Sequence, residues 1–214
     1  MTLDFSILWQ KLPLLLEGAA ITLEITFAAL VLGTAVGFLV ALTRLLQVPV
    51  LRQLGRVYVL VFRGTPLLVQ LFILYFGLPS VGIKLGPWPA AILGLGLNTG
   101  AYVSEIIRAA VESIDRAQWE AGLLEARHLT VLWFIVLPQA VRRMLPPLTN
   151  QFISTLKNSS LVSLLTIEEL FRRGEQVIYS TFRAFEIYLG VAAIYLLMTT
   201  VLSTLQDYLE ARLD

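Results

Sequence analysis

"ITFAALVLGTAVGFLVALT", residues 25–43, runs for 19 residues without a charged side chain. A helix needs about 20 mostly apolar residues to cross a hydrocarbon core of about 30 Å. The run therefore reads as a membrane-crossing helix. Working outward, Gly64–Ile83, Leu85–Ser104 and Ile187–Gln206 are each uncharged over 20 residues. A weaker candidate lies between Leu129 and Leu156, interrupted by Arg142 and Arg143 and bent by Pro138, Pro146 and Pro147. Prolines are tolerated inside a span where neighbouring helices satisfy the freed carbonyls. The expectation is an all-α membrane protein of five transmembrane helices, at approximately 19–44, 57–83, 85–110, 134–157 and 185–208. They form a single domain, 1–214, with a loop at 111–133.

Composition agrees. Of 214 residues, 57% are hydrophobic and only 14% charged, where a soluble domain carries about 25% charged residues. A net charge of +1 and scattered basic residues give no sign of a nucleic-acid partner. The absence of cysteine excludes disulfides, thiolate catalysis and cysteine-bound metals. The opening "MTLDFSILWQKLPLLLEG" does not read as a signal peptide, because Asp4 stands where a basic cluster would and no small-residue cleavage site follows.

Orientation follows from the basic residues. With the N-terminus outside, ten arginines face inward: 44, 52, 56, 63, 108, 116, 127, 142, 143 and 212. Six cations face outward: Lys11, Lys84, Lys157, Arg172, Arg173 and Arg183. That bias favours N-out, C-in. Trp9, Trp88, Trp119 and Trp133 fit interfacial anchors. The charged "TIEELFRRGEQV", residues 166–177, reads as a short outer helix.

Several signals are discounted. "GLGLNTG" at 94–100 lacks the spacing of a dinucleotide loop, and no phosphate-loop motif occurs. Its small residues, like the pair Gly33 and Gly37, serve close helix approach. His128 is the single histidine, and no set of side chains for catalysis converges within the spans.

One cytoplasmic stretch asks for a reader in water: "EAGLLEARHLTVLWFIVLP", residues 120–138. At helical spacing Trp119, Leu123 and Ala126 share one face, and Glu120, Leu124 and Arg127 another. Such a helix can be a knob presented to a soluble partner, or an ordinary solvated loop. For Glu120 the bland alternative is an intrachain pair with Arg116, worth about 0.3–0.5 kcal/mol.

The segment resembles the EAA loop of bacterial ABC importer permeases, through "WEAG" at 119–122 and "IVLP" at 135–138. Three further blocks resemble the polar amino-acid uptake family: "FRGTPLLVQLFILYFGLP" at 62–79, "AYVSEIIRAAVESID" at 101–115, and "LPQAVRRMLPPLTNQFISTLKNSSLVS" at 137–163. The four blocks keep the family's order, and the resemblance covers roughly residues 18–210. There are departures. Gly122 stands where the family has alanine, Ala126 replaces the loop glycine, and Glu120 to Pro138 spans 18 positions where the family has 19.

The resemblance implies a type I ABC importer permease-like fold working as a dimer of permeases, identical or paralogous. It implies an ATP-binding subunit dimer on the cytoplasmic side, which holds ATP and magnesium, and an extracytoplasmic amino-acid-binding protein. The chain itself is then non-catalytic and needs no cofactor, and the location is the bacterial cytoplasmic (inner) membrane, multi-pass. The coupling contact falls on Trp119, Glu120, Ala121 and Gly122, with Glu125 and Arg127 beyond.

An amino-acid substrate needs donors for its carboxylate and acceptors for its ammonium. Thr65 and Gln70 on span two, Asn98 and Tyr102 on span three, and Lys157, Asn158, Ser159 and Ser160 after span four are the candidates. The same side chains could instead satisfy bent-helix backbone or pack between spans. An ion-gradient-driven secondary transporter is the alternative class. Against it, Glu24, Glu105 and Glu186 lie at span ends, leaving no mid-span carboxylate. An assembly subunit of a membrane complex is a third.

Overall fold

A computed structural model describes residues 4–45 and 48–210. Every element among them is helical. The first, α1, runs over Ser6–Leu45, 40 residues. At 1.5 Å per residue it is about 60 Å long, twice the hydrocarbon thickness. The helix thus begins at Ser6, ahead of the span expected at 19–44, which lies inside it. Pro13 forfeits one helical hydrogen bond, and packing compensates. Leu15 is fully buried, and a Cβ on Gly18 would sit 2.9 Å from the Leu170 backbone.

The second span is not the continuous helix expected at 57–83. It is broken into α2, Pro49–Gly64, and α3, Leu67–Phe72. A π turn at Ile73–Gly77 and a 3-10 turn at Leu78–Val81 extend α3. The two halves meet at 104°. The cause is local: a residue before proline is pushed out of the α region, and Thr65 is extended at φ −120°, ψ 147° ahead of Pro66.

Helix α4, Pro87–Glu112, is the most enclosed. Its partner is α1, along a seam of small residues. A Cβ on Gly33 would lie 2.9 Å from the Gly96 carbonyl oxygen, and one on Gly37 would lie 2.6 Å from Val103 Cβ. "GLGLNTG" thus belongs to an intrachain seam.

The remainder is α5 (Arg116–Leu123), α6 (His128–Val131), a π turn at Leu132–Val136, and α7 (Leu137–Asn158) carrying Pro146 and Pro147 internally. A 3-10 stretch at Ser159–Leu165 leads to α8 (Leu170–Thr181) and α9 (Ala184–Glu210). Among the described residues, α1, α4 and α9 are long and apolar enough to span a membrane, and the bent pair α2–α3 brings the number to four. With Arg142, Arg143 and Lys157 on it, α7 does not reach that hydropathy.

Among the described residues, three apolar clusters hold the bundle. One surrounds Val103, Val111, Val131, Val136 and Ala140 near α5. A second joins Ile25, Leu71, Ala91, Leu95 and Leu165. The third seats α8 between α1 and α9 through Leu15, Leu170, Val177 and Ile187.

Candidate functional sites

Asp115 starts α5 by accepting a hydrogen bond from the Ala117 amide at 3.0 Å, which satisfies one of the free donors at a helix start. The helix ends at Leu123, so Ala126 and Arg127 do not share its faces as the spacing suggested. The chain turns there, with the Glu125 and Ala126 amides both donating to the Gly122 carbonyl, at 3.2 and 3.0 Å. Gly122 itself is buried, and a Cβ on it would lie 2.8 Å from Ile135 Cδ1 and 2.9 Å from Val131 Cγ1. That close approach accounts for glycine in place of the family's alanine.

Trp119 is half-buried. Its indole stacks on His128 with ring centroids 5.0 Å apart, and it packs against the Val111 and Val131 cluster. Glu120, Ala121, Glu125 and Arg127 are exposed. Glu120 pairs with neither Arg116 nor any other cation among the described residues. Leu124 beside it is 86% exposed. Trp119 and Gly122 are thus seated behind α5, with the unpaired Glu120 carboxylate and the bare Leu124 in front. The helical spacing placed Leu124 on the Glu120 face, but Leu124 was not counted among the coupling residues.

The eight path candidates fall in three places. Thr65, Gln70 and Asn98 converge on the broken span. The Asn98 amide donates to the Phe62 carbonyl at 3.0 Å and to Gln70 Oε1 at 3.1 Å. The Gln70 amide donates to the Phe62 carbonyl at 2.9 Å, the Thr65 carbonyl at 3.1 Å and Thr65 Oγ1 at 2.9 Å. Those carbonyls lost their helical donors at the break, and unsatisfied backbone is costly away from water. The three side chains therefore hold the break together.

Tyr102 lies elsewhere, under Arg63, whose guanidinium carbon is 5.1 Å from the ring centroid. Lys157 and Ser160 line a 320 Å³ pocket with Phe171, Tyr188 and Tyr195. Ser159 and Ser160 cap the end of α7, donating to the carbonyls of Leu156 and Lys157 at 2.7 and 2.8 Å. Asn158 is exposed.

A further carboxylate, Glu169, escaped the sequence reading because it sits in a charged run. It is fully buried and caps α8, accepting from the Arg172 amide at 2.9 Å, Tyr195 Oη at 2.8 Å and Thr22 Oγ1 at 3.2 Å. Burial pushes its carboxyl above the ordinary value, against the downward pull of those donors.

Known proteins are similar to this chain in sequence and fold. The family described as "Binding-protein-dependent transport system inner membrane component" matches residues 33–214. The glutamine transport system permease protein of Escherichia coli (strain K12) is 40% identical, covering 100% of this chain and 99% of its own. The L-cystine transport system permease protein of Bacillus subtilis (strain 168) is 39% identical, covering 100% and 94%. A crystal structure of an amino acid ABC transporter with histidines superposes with a TM-score of 0.94 at 37% identity, over 99% of this chain and 100% of that one. A match over most of the chain, carried by relatives at 40% identity and by one fold throughout, means that the chain belongs to the family of binding-protein-dependent transport system inner membrane components.

Proposed function

We propose that this chain is the permease subunit of an ATP-driven importer that carries polar or charged L-amino acids across the cytoplasmic (inner) membrane. One observation carries the reading: relatives named for glutamine and for cystine transport match the whole chain at 39–40% identity. Membership of a binding-protein-dependent family removes the ion-gradient alternative.

The topology we assign is five spans, N-out and C-in: α1, the broken α2–α3, α4, α7 and α9. The 22 residues of α7 are about 33 Å long, enough to cross. Two such permeases, identical or paralogous, enclose the path, and an external binding protein delivers the substrate. The ATP-binding subunit dimer, which holds ATP and magnesium, docks on α5. This chain needs no cofactor of its own.

Coupling is mechanical. Trp119 and Gly122 fix α5 to the cluster at the base of α4 and α7, so a push on Glu120 and Leu124 moves helices and not merely a loop. Uncompensated by this chain, the Glu120 carboxylate suits a basic partner surface, with Glu125 and Arg127 at the rim. For the path, the free Lys157 ammonium with Ser160 suits a substrate carboxylate, and Asn158 stands beside it. Thr65, Gln70, Asn98 and Ser159 are assigned to backbone satisfaction, and Tyr102 to stacking under Arg63.

The experiment is reconstitution with the ATPase subunit and binding protein, comparing wild type with Glu120→Lys. Uptake should depend on ATP. The variant should insert normally yet co-purify with much less ATPase subunit, since like charges at a desolvated contact cost several kcal/mol, and about 2.8 kcal/mol is a hundredfold in affinity. Wild-type association and wild-type stimulated hydrolysis in the variant would remove Glu120 from the coupling contact.

A further inference from the structure

A cavity of about 700 Å³ opens at the α5 end of the bundle, and five arginines line it: Arg44, Arg52, Arg56, Arg108 and Arg116. They arrive from α1, α2, α4 and α5, so no single segment of sequence announces the cluster. Carboxylates offset only part of it. Glu105 pairs with Arg44 at 2.5 Å and with Arg108, and Glu112 pairs with Arg108. Arg52, Arg56 and Arg116 have no carboxylate partner among the described residues. The Nε of Arg52 is buried and without any hydrogen-bond partner.

The backbone enforces this crowding. Gly55, between Arg52 and Arg56, lets α2 lie directly on the end of α1. A Cβ there would sit 2.7 Å from Thr43 Oγ1 and 3.0 Å from Arg44 Cγ. Three uncompensated guanidiniums held in one concavity repel one another, and a buried donor left unpaired is costly. An anion with several oxygens relieves both. Guanidinium forks match phosphate oxygens bidentately, and the volume suits a headgroup-sized ligand.

Helix α2 indicates how such an anion would arrive. Arg52, Arg56 and Arg63 share one face at i, i+4 and i+11, while Val50, Leu54, Val57 and Val61 stand exposed on the others. Arginines on one side and bare aliphatics on the other suit the first turns of α2, where the broken span begins, to the level at which headgroups meet acyl chains.

We propose that this cavity is a binding site for a phosphate group, supplied by an anionic phospholipid whose chains run along the apolar face of α2. Placing it in the inner leaflet rests on the proposed N-out orientation; the binding itself does not. A soluble polyphosphate offers the same chemistry from another source.

The test is native mass spectrometry of the full-length chain in detergent, titrated separately with phosphatidylglycerol, phosphatidylcholine and inorganic pyrophosphate. Wild-type protein should retain phosphatidylglycerol and not phosphatidylcholine. The triple variant Arg52→Gln, Arg56→Gln, Arg116→Gln should lose about tenfold or more in affinity, because bidentate contacts are the strong ones. Arg142→Gln, an exposed arginine on α7 away from the cavity, should bind as wild type does. The triple variant must keep the wild-type melting temperature without lipid; otherwise each single variant is titrated, and each should lose part of the affinity.

If pyrophosphate binds with the same arginine dependence and phosphatidylglycerol does not, the lipid source is wrong and a soluble phosphate takes its place. If neither binds above the level left in the triple variant, the proposal falls. None of these results bears on whether the chain is a permease, because no readout involves transport or sidedness.

Discussion

Replacing Asn98 by alanine should unfasten the broken span. The side chain is 6% exposed and makes two hydrogen bonds, to the Phe62 carbonyl at 3.0 Å and to Gln70 Oε1 at 3.1 Å. Hydrogen bonds between helices in a membrane average about 0.6 kcal/mol and reach about 1.7. Two of them give about 1.2 kcal/mol for Asn98→Ala. Gln70→Ala should cost at least as much, since its amide serves three acceptors around the break. The two residues share a bond and the Phe62 carbonyl, so the double variant should cost less than the sum by about 0.6 kcal/mol. Unfolding in mixed micelles titrated with sodium dodecyl sulfate measures each corner of the cycle. Transport KM should stay near wild type for both variants. If Asn98→Ala leaves stability within about 0.3 kcal/mol and shifts KM about tenfold, the amide faces the solute and the backbone assignment is refuted.

Gly37→Leu should destabilise the monomer by about 3 kcal/mol or more, because its Cβ would fall 2.6 Å from Val103, a residue with no room to move. Loss of self-association with an unchanged melting temperature would make the glycine pair a dimer seam instead. Glu169 binds its proton more tightly folded than unfolded, so its contribution to stability is full below the unfolded value of about 4.3 and is lost as pH rises through the folded value. The wild-type melting temperature should therefore fall as pH rises above the unfolded value by more than that of Glu169→Gln, and equal slopes would contradict the burial argument. Asn158→Asp should shift preference towards cationic amino acids if that exposed residue borders the path; unchanged uptake rate and selectivity would take it off the route.

Much of the fold was legible in the uncharged runs. The stretches 25–43 and 187–206 lie within long helices, as does 85–104 from Pro87 onward, because lipid leaves backbone polar groups few other solutions. The break at 64–66 was visible as Gly-Thr-Pro yet was read through, since run length carries no information about direction. The early start of α1 was hidden behind Lys11 and Glu17, which interrupt hydropathy but not helicity. In α5, Trp119 to Gly122 stood out because charge in an apolar chain needs a reason. Its end at Leu123 did not, since the turn is set by contact of Gly122 with Val131 and Ile135. The arginine cavity was hidden for the opposite reason: its residues had been counted as scattered evidence of sidedness.

The glycine seam also constrains how the protein is made. Gly37 on α1 meets Gly100 and Val103 on α4, more than 60 positions later in the chain. At about 5–20 residues per second of synthesis, α1 waits several seconds in the bilayer before its partner emerges. During that wait its groove faces acyl chains or the insertion machinery. The helix survives because its backbone is internally bonded, but its tightest contact forms late. A ribosome pause between residues 45 and 87 would lengthen the interval in which the nascent chain is open to wrong pairing and to membrane proteases.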